Sequence, residues 1–253
     1  MGFLDDNVSV PRRTMNLFFL IDTSGSMEGN KIGAVNDAIP NVLPLLKEIQ
    51  ENNPDAEIKV AALEFSSGVN WLYDEPKLAE DFIWQDVAAG GLTSLGQACV
   101  ELESKLSTSH GYMTKSETGS GYYAPAIILL SDGGPTDDFQ SGLKKLKDNN
   151  WFKKAIRIAI AIGDDADKEV LKQFTGNAEA VITVHNIDAL KQIIRVVAVT
   201  SSQIGSKSST AGDITKQDQV IKDVQDAAKN IDGADSADST ATVDSSQYID
   251  DWG

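Results

Sequence analysis

Between residues 16 and 202 the chain alternates short apolar runs with longer stretches whose apolar residues recur every three to four positions. The run "NLFFLID" (16–22) is apolar without alternation and stops at an acid, which predicts a strand buried on both faces. After it, Ile32, Val35, Ile39, Val42, Leu43 and Leu46 mark a helix, with Pro40 and Pro44 expected to kink it. "EIKVAALEF" (57–65) predicts a second strand, and "GVNWLYD" (68–74) and "DFIWQ" (81–85) predict shorter ones. Helix and strand then alternate: "TSLGQACVELESKL" (93–106), "PAIILLSD" (125–132), "DFQSGLKKLKDN" (138–149), "AIRIAIAIG" (155–163), "DKEVLKQFTG" (167–176, closed by Gly176), "AVITV" (180–184) and "IDALKQIIRVVAVTSS" (187–202). Such alternation predicts an α/β layered fold with a mostly parallel sheet, in which ligands sit at the carboxyl ends of strands beside a topological switch point.

The pattern divides the chain into an N-terminal extension (1–14), one domain (15–202) and an acidic low-complexity tail (203–253) rich in Ser, Thr, Asp, Ala and Gly. The tail holds too few large apolar residues for a core of its own, so it is expected to be largely disordered. Its exception is "KQDQVIKDVQDAAKNI" (216–231), where Val220, Val224, Ala227 and Ile231 form a narrow apolar stripe on a short amphipathic helix. Such a helix is marginal alone. It reads either as a solubilising extension or as a segment that folds on a partner or on its own domain, with "YIDDWG" (248–253) as an aromatic and acidic end. An Asp of the tail offered to a neighbouring copy would give self-association.

Charge narrows the partners. The 22 Lys and Arg against 38 Asp and Glu leave a net charge of −16, which disfavours nucleic acid and anionic membrane and suits metal cations and basic surfaces. The single cysteine, Cys99, excludes an internal disulfide or a Cys-based zinc site and points to a reducing compartment. The first residues carry no long apolar segment, so a cytoplasmic location is expected.

Three polar clusters fall at strand ends or just before a helix: "DTSGS" (22–26), "GGLTSLG" (90–96) and "SDGGPTDD" (131–138). The first alone could cap a helix, supply a nucleophile or form half of a metal site. Together, on one sheet edge, they would offer Asp22, Ser24, Ser26, Thr93 and Asp132, all oxygen donors. Hard oxygen donors suit Mg²⁺, with Mn²⁺ or Ca²⁺ as weaker alternatives, and do not suit zinc. Two carboxylates against a divalent cation leave the site close to neutral. Thr136, Asp137 and Asp138 are assigned to the start of the following helix, outside the site. His110 and His185 lie in no metal-spaced cluster, and Cys99 reads as a buried inert thiol.

Asp-x-Ser-x-Ser after a first strand, Gly-Gly-x-Thr before a helix and Ser-Asp-Gly after a later strand resemble the von Willebrand factor A (VWA) domain and its metal-ion-dependent adhesion site, over about residues 15–202. "GGLTSLGQA" and "LLSDGGPTDD" are more similar to the bacterial tellurite-resistance-associated TerY branch. The resemblance implies a Rossmann-like sheet flanked by helices on both faces, with Mg²⁺ above it. Ser24 and Ser26 would bind the metal directly, and Asp22, Asp132 and Thr93 directly or through water. A partner protein's Asp or Glu would complete the sphere. The TerY-like relatives imply a bacterial stress-response or phage-defence setting and a protein kinase or phosphatase as partner.

The rival reading is an enzyme. A strand ending in Asp resembles Mg²⁺-dependent phosphatases of the haloacid-dehalogenase type, with Asp22 as nucleophile. That chemistry needs a second carboxylate two residues on, where this chain has Ser24, and a Lys beside the loops, where none stands in the required place. A non-catalytic module is the expectation.

Overall fold

The computed structural model describes residues 12–114, 121–208 and 215–235. Strands β1 (Arg13–Asp22), β2 (Ala56–Phe65), β5 (Ala126–Ser131), β6 (Ile156–Ile162) and β7 (Val181–Val184) are mutually parallel, and the short β3 (Val69–Trp71), β4 (Lys77–Leu78) and β8 (Ala234–Asp235) are antiparallel additions at the margins. The sheet runs β3-β2-β1-β5-β6-β7-β8, with β4 also paired to β2. From β1 the chain builds first to one side through β2 and then to the other through β5, so the topological switch point lies between β1 and β5.

The continuous apolar run of β1 has a direct cause. Leu17, Phe19 and Ile21 pack on one face, with helices α1 (Asn30–Glu51), α6 (Ile187–Gly205) and α7 (Lys216–Ala228); Phe18 and Leu20 pack on the other, with α2 (Leu95–Lys105), α3 (Phe139–Asp148) and α5 (Lys168–Thr175). Both faces are covered, so no polar alternation survives. Asp138, Asp167 and Asn186 cap α3, α5 and α6 through their side chains, and Gly176 closes α5 at a left-handed φ of 77°, as expected from its position.

Four details depart from the sequence pattern. Helix α1 stays helical on both sides of the half-buried Pro40 and the exposed Pro44, so neither proline ends it. Residues 81–85 form no strand; Phe82 and Trp84 are single anchors, Phe82 against the Tyr73 ring at 5.2 Å and Trp84 through an Nε1 bond of 3.2 Å to Asn36, while Ile83 is exposed. A five-residue helix, α4 (Asn150–Lys154), follows α3 directly, since the Asn149 side chain accepts from the Trp151 and Phe152 N–H groups and starts a new turn where α3 ends.

The fourth concerns the segment after residue 202. Helix α6 continues to Gly205, and the expected short helix forms as α7, packed on α6 and β6. Val220, Ile221, Val224 and Ala228 are buried in the common core, a wider stripe than the pattern implied. Gln217 fixes the docking: its side chain accepts from the Arg157 N–H at 2.7 Å and donates to the Arg157 carbonyl at 3.0 Å, copying a strand pairing on the part of β6 that β7 does not reach. Thr215 serves as the N-cap, accepting from Asp218 N–H. This part of the low-complexity stretch is therefore folded onto the domain, and β1 likewise starts two residues inside the span read as an N-terminal extension. "YIDDWG" lies outside the described residues. No described helix is long and apolar enough to cross a membrane.

Candidate metal centre

Asp22 is the last residue of β1 and is fully buried. Its Oδ1 accepts from Ser24 N–H at 2.9 Å, and its Oδ2 accepts from the Ser131 hydroxyl at 2.6 Å. Ser131 closes β5, the neighbouring strand, and its oxygen accepts in turn from Gly133 N–H at 2.7 Å. The switch point thus clamps the carboxylate from two loops. Burial raises the pKa of Asp22; the bonds from Ser131 and Ser24 oppose the rise, and the nearby charge of Asp132 adds to it. A cation at this point would relieve both the desolvation and the repulsion.

Beyond Asp22 the chain makes a 3-10 turn, Gly25–Met27, that brings the Ser24 and Ser26 hydroxyl oxygens to 3.0 Å of one another. Two backbone bonds lock this turn to the second loop: Gly25 N–H to the Gly91 carbonyl at 3.2 Å and Gly90 N–H to the Thr23 carbonyl at 2.8 Å. Gly91 has φ 86° and lies so close to Ser67 that a Cβ would come within 2.5 Å of its Oγ, so a side chain at 91 would push the loops apart.

Thr93, buried, is held by the third loop: its N–H donates to the Thr136 hydroxyl at 3.0 Å, and its carbonyl accepts from Thr136 N–H at 2.9 Å. Asp137 accepts from Gly96 and Gln97 N–H groups, capping α2 from outside the helix. Of the three residues assigned to the next helix, only Asp138 caps α3; Thr136 and Asp137 hold the Thr93 loop in place. Their partners are 40 or more residues away in sequence, so no local pattern could show it.

Asp132 is 7% exposed, and its Oδ2 is buried with no hydrogen-bond donor. The Lys31 ammonium stands 3.6 Å away, close enough to balance charge and too far to be a hydrogen bond. A lysine therefore does reach the loops, contrary to the sequence reading, because the first turn of α1 folds back over the strand ends. The structure thus joins Asp22, Ser24 and Ser26 by hydrogen bonds, sets Asp132 within electrostatic range of Asp22, and ties the Thr93 loop to the same turn.

A cation fits this constellation on two observations: a buried carboxylate oxygen without a donor, and a donor set made only of oxygens. Among the described residues no three His, Cys, Asp or Glu side chains are grouped to hold a metal, so the hydroxyls would have to complete the set. Elsewhere, His185 bonds to Asp164 through Nδ1 and to Asp235 through Nε2 at 2.9 Å, tying β8 to the strand ends, and His110 bonds to Ser109 in a loop. Cys99 is buried with its thiol pKa pushed well up by desolvation.

Solved structures similar to this one include a von Willebrand factor type A protein from Catenulispora acidiphila (17% identity, TM-score 0.55, 75% of this chain and 43% of that one). The pilus adhesin SpaC from Lactobacillus rhamnosus GG is similar at 15% identity and TM-score 0.58, over 77% of this chain and 30% of that one. Proximal thread matrix protein 1 from the mussel byssus, with a zinc-occupied MIDAS motif, is similar at 19% identity and TM-score 0.55, over 76% and 48%. The chain therefore spans less than half the length of each. No curated protein matches the sequence. The model of the von Willebrand factor type A domain family matches residues 16–196, and with its strand order and three loops in place the chain belongs to that family.

Proposed function

We propose that this chain is a non-catalytic, metal-dependent protein-interaction module. Asp22, Ser24, Ser26, Thr93 and Asp132 would hold a divalent cation, Mg²⁺ by the preference of hard oxygen donors, and the cation would accept an Asp or Glu from a partner protein. The observation that carries this reading is the Asp132 Oδ2, buried without a donor beside a second buried carboxylate. Two buried carboxylates, one of them with an oxygen that has no donor, are costly together unless a cation offsets their charge. The zinc-occupied MIDAS motif of the mussel protein supports a divalent ion on this fold and leaves room for metals other than Mg²⁺. The resemblance to the TerY branch supports a bacterial stress-response or phage-defence setting with a kinase or phosphatase partner, and the lone buried thiol of Cys99 fits a cytoplasmic one.

Phosphatase chemistry at Asp22 has less support. Both of its oxygens already accept hydrogen bonds, it is fully buried, and position 24 offers a hydroxyl where a general acid is required. The test is capture of the partner from the native cell by wild type, Asp22→Ala and Thr93→Ala, with and without chelator. Capture should need the metal and be lost in both variants while their circular dichroism stays native. Equal capture by all three would overturn the proposal, as would phosphatase turnover that Asp22→Asn abolishes.

A further inference from the structure

Lys31 occupies an unfavourable place for a cation. It is the second residue of α1, at the positive end of the helix dipole, in a first turn that carries no acid of its own. Its side chain is nonetheless only 12% exposed, with the ammonium 3.6 Å from Asp132 Oδ2 and 4.0 Å from Asp165 Oδ1. The two carboxylates differ sharply: Asp132 is 7% exposed and Asp165 80%. Gly163 backs the slot between them. At its φ of 95° a Cβ would lie 3.2 Å from the Lys31 ammonium and 2.9 Å from Asp165 Oδ1, so any side chain there would crowd the lysine.

We propose that Lys31 is the third charge of the metal site, poised between Asp132 and Asp165, and that it yields Asp132 to an incoming divalent cation by moving toward Asp165. The inference rests on the metal reading above. Its consequence is a change of sign. Counting the buried Asp22 and Asp132 with Lys31, and leaving aside Asp165, which is 80% exposed and screened by solvent, the empty site is negative and repels acids. Adding a divalent cation leaves one net positive charge, matched to one incoming carboxylate. Lys31 thus weakens the hold on the metal and strengthens the attraction for the partner's acid.

The experiment is calorimetric titration of Mn²⁺ into the full chain as wild type, Lys31→Met, Lys31→Arg, Asp165→Asn and the Lys31→Met/Asp165→Asn pair. Removing one unit charge a few ångströms from a partly buried cation should tighten Mn²⁺ binding by roughly tenfold in Lys31→Met. Lys31→Arg, which keeps the charge, should stay near wild type. Asp165→Asn should weaken binding by about threefold in the wild-type background and change nothing once Lys31 is Met, the signature of direct coupling. Acetate binding to the Mn²⁺-loaded protein, followed by relaxation of its methyl protons, should weaken in Lys31→Met.

Equal or weaker Mn²⁺ binding by a folded Lys31→Met, or an Asp165→Asn effect that persists without the lysine, would overturn the proposal. Asp165 is exposed, so its variant tests the idea even if Lys31→Met fails to fold. Wild type that binds no Mn²⁺ would overturn the metal reading itself, which is a different result from a wild type that binds and a lysine that does not matter.

Discussion

Ser131 carries more of the site than its place in a strand suggests. Its hydroxyl relays from Gly133 N–H to Asp22 Oδ2, so Ser131→Ala would leave a buried carboxylate oxygen without its donor. Loss of such a bond costs about 1–3 kcal/mol, or a fall in melting temperature of roughly 2–10 °C for a domain of this size. A thermal unfolding curve checks it, and a change under 1 °C would show the relay to be idle. Cys99 is the opposite case, a residue whose role was plain from its apolar neighbours Val100 and Leu102 in the sequence. With its thiol buried and its pKa raised, the thiolate is scarce near neutral pH. Iodoacetamide should label it at least about a hundredfold more slowly in the native protein than in denaturant, since reaction waits on opening. The five proposed oxygen donors could be singled out in the sequence because each lies beside a glycine or a second hydroxyl. Ser131, Lys31, Thr136 and Asp137 were not, because what they do depends on contacts with distant loops.

At the scale of elements, the main strands could be read directly because a parallel sheet covered on both faces leaves uninterrupted apolar runs. The margins could not. The two-residue strands β4 and β8 have no periodicity to detect, and α4 is hidden by Asn149, which ends one helix and caps the next. Helix α7 was visible as a stripe, but the choice between a partner and its own domain stayed open, since the Gln217 pairing to Arg157 spans 60 residues. Its packing makes a clear demand on stability. Ile221 is 3% exposed, and Ile221→Ala should destabilise the whole domain by about 2–5 kcal/mol. Chemical denaturation measures this. An unchanged midpoint would mean that α7 is an appendage and not part of the core.

For the molecule as a whole, the sheet order matters most. By reversing direction between β1 and β5 it brings three loops, spread over more than 100 residues of sequence, together at the strand ends. The acidic balance of the chain suits a cation there, and the buried, mutually repelling Asp22 and Asp132 give it a reason to bind. Binding to the folded state alone must then show as stability. Mg²⁺ at a hundred times its dissociation constant contributes about 2.7 kcal/mol, or roughly 5–10 °C in melting temperature. The most direct test is the melting temperature of wild type and Asp132→Asn, each in Mg²⁺ and in chelator. The account predicts that wild type rises by that amount with Mg²⁺ and that Asp132→Asn does not respond. An unresponsive wild type, or the same rise in both proteins, would contradict it.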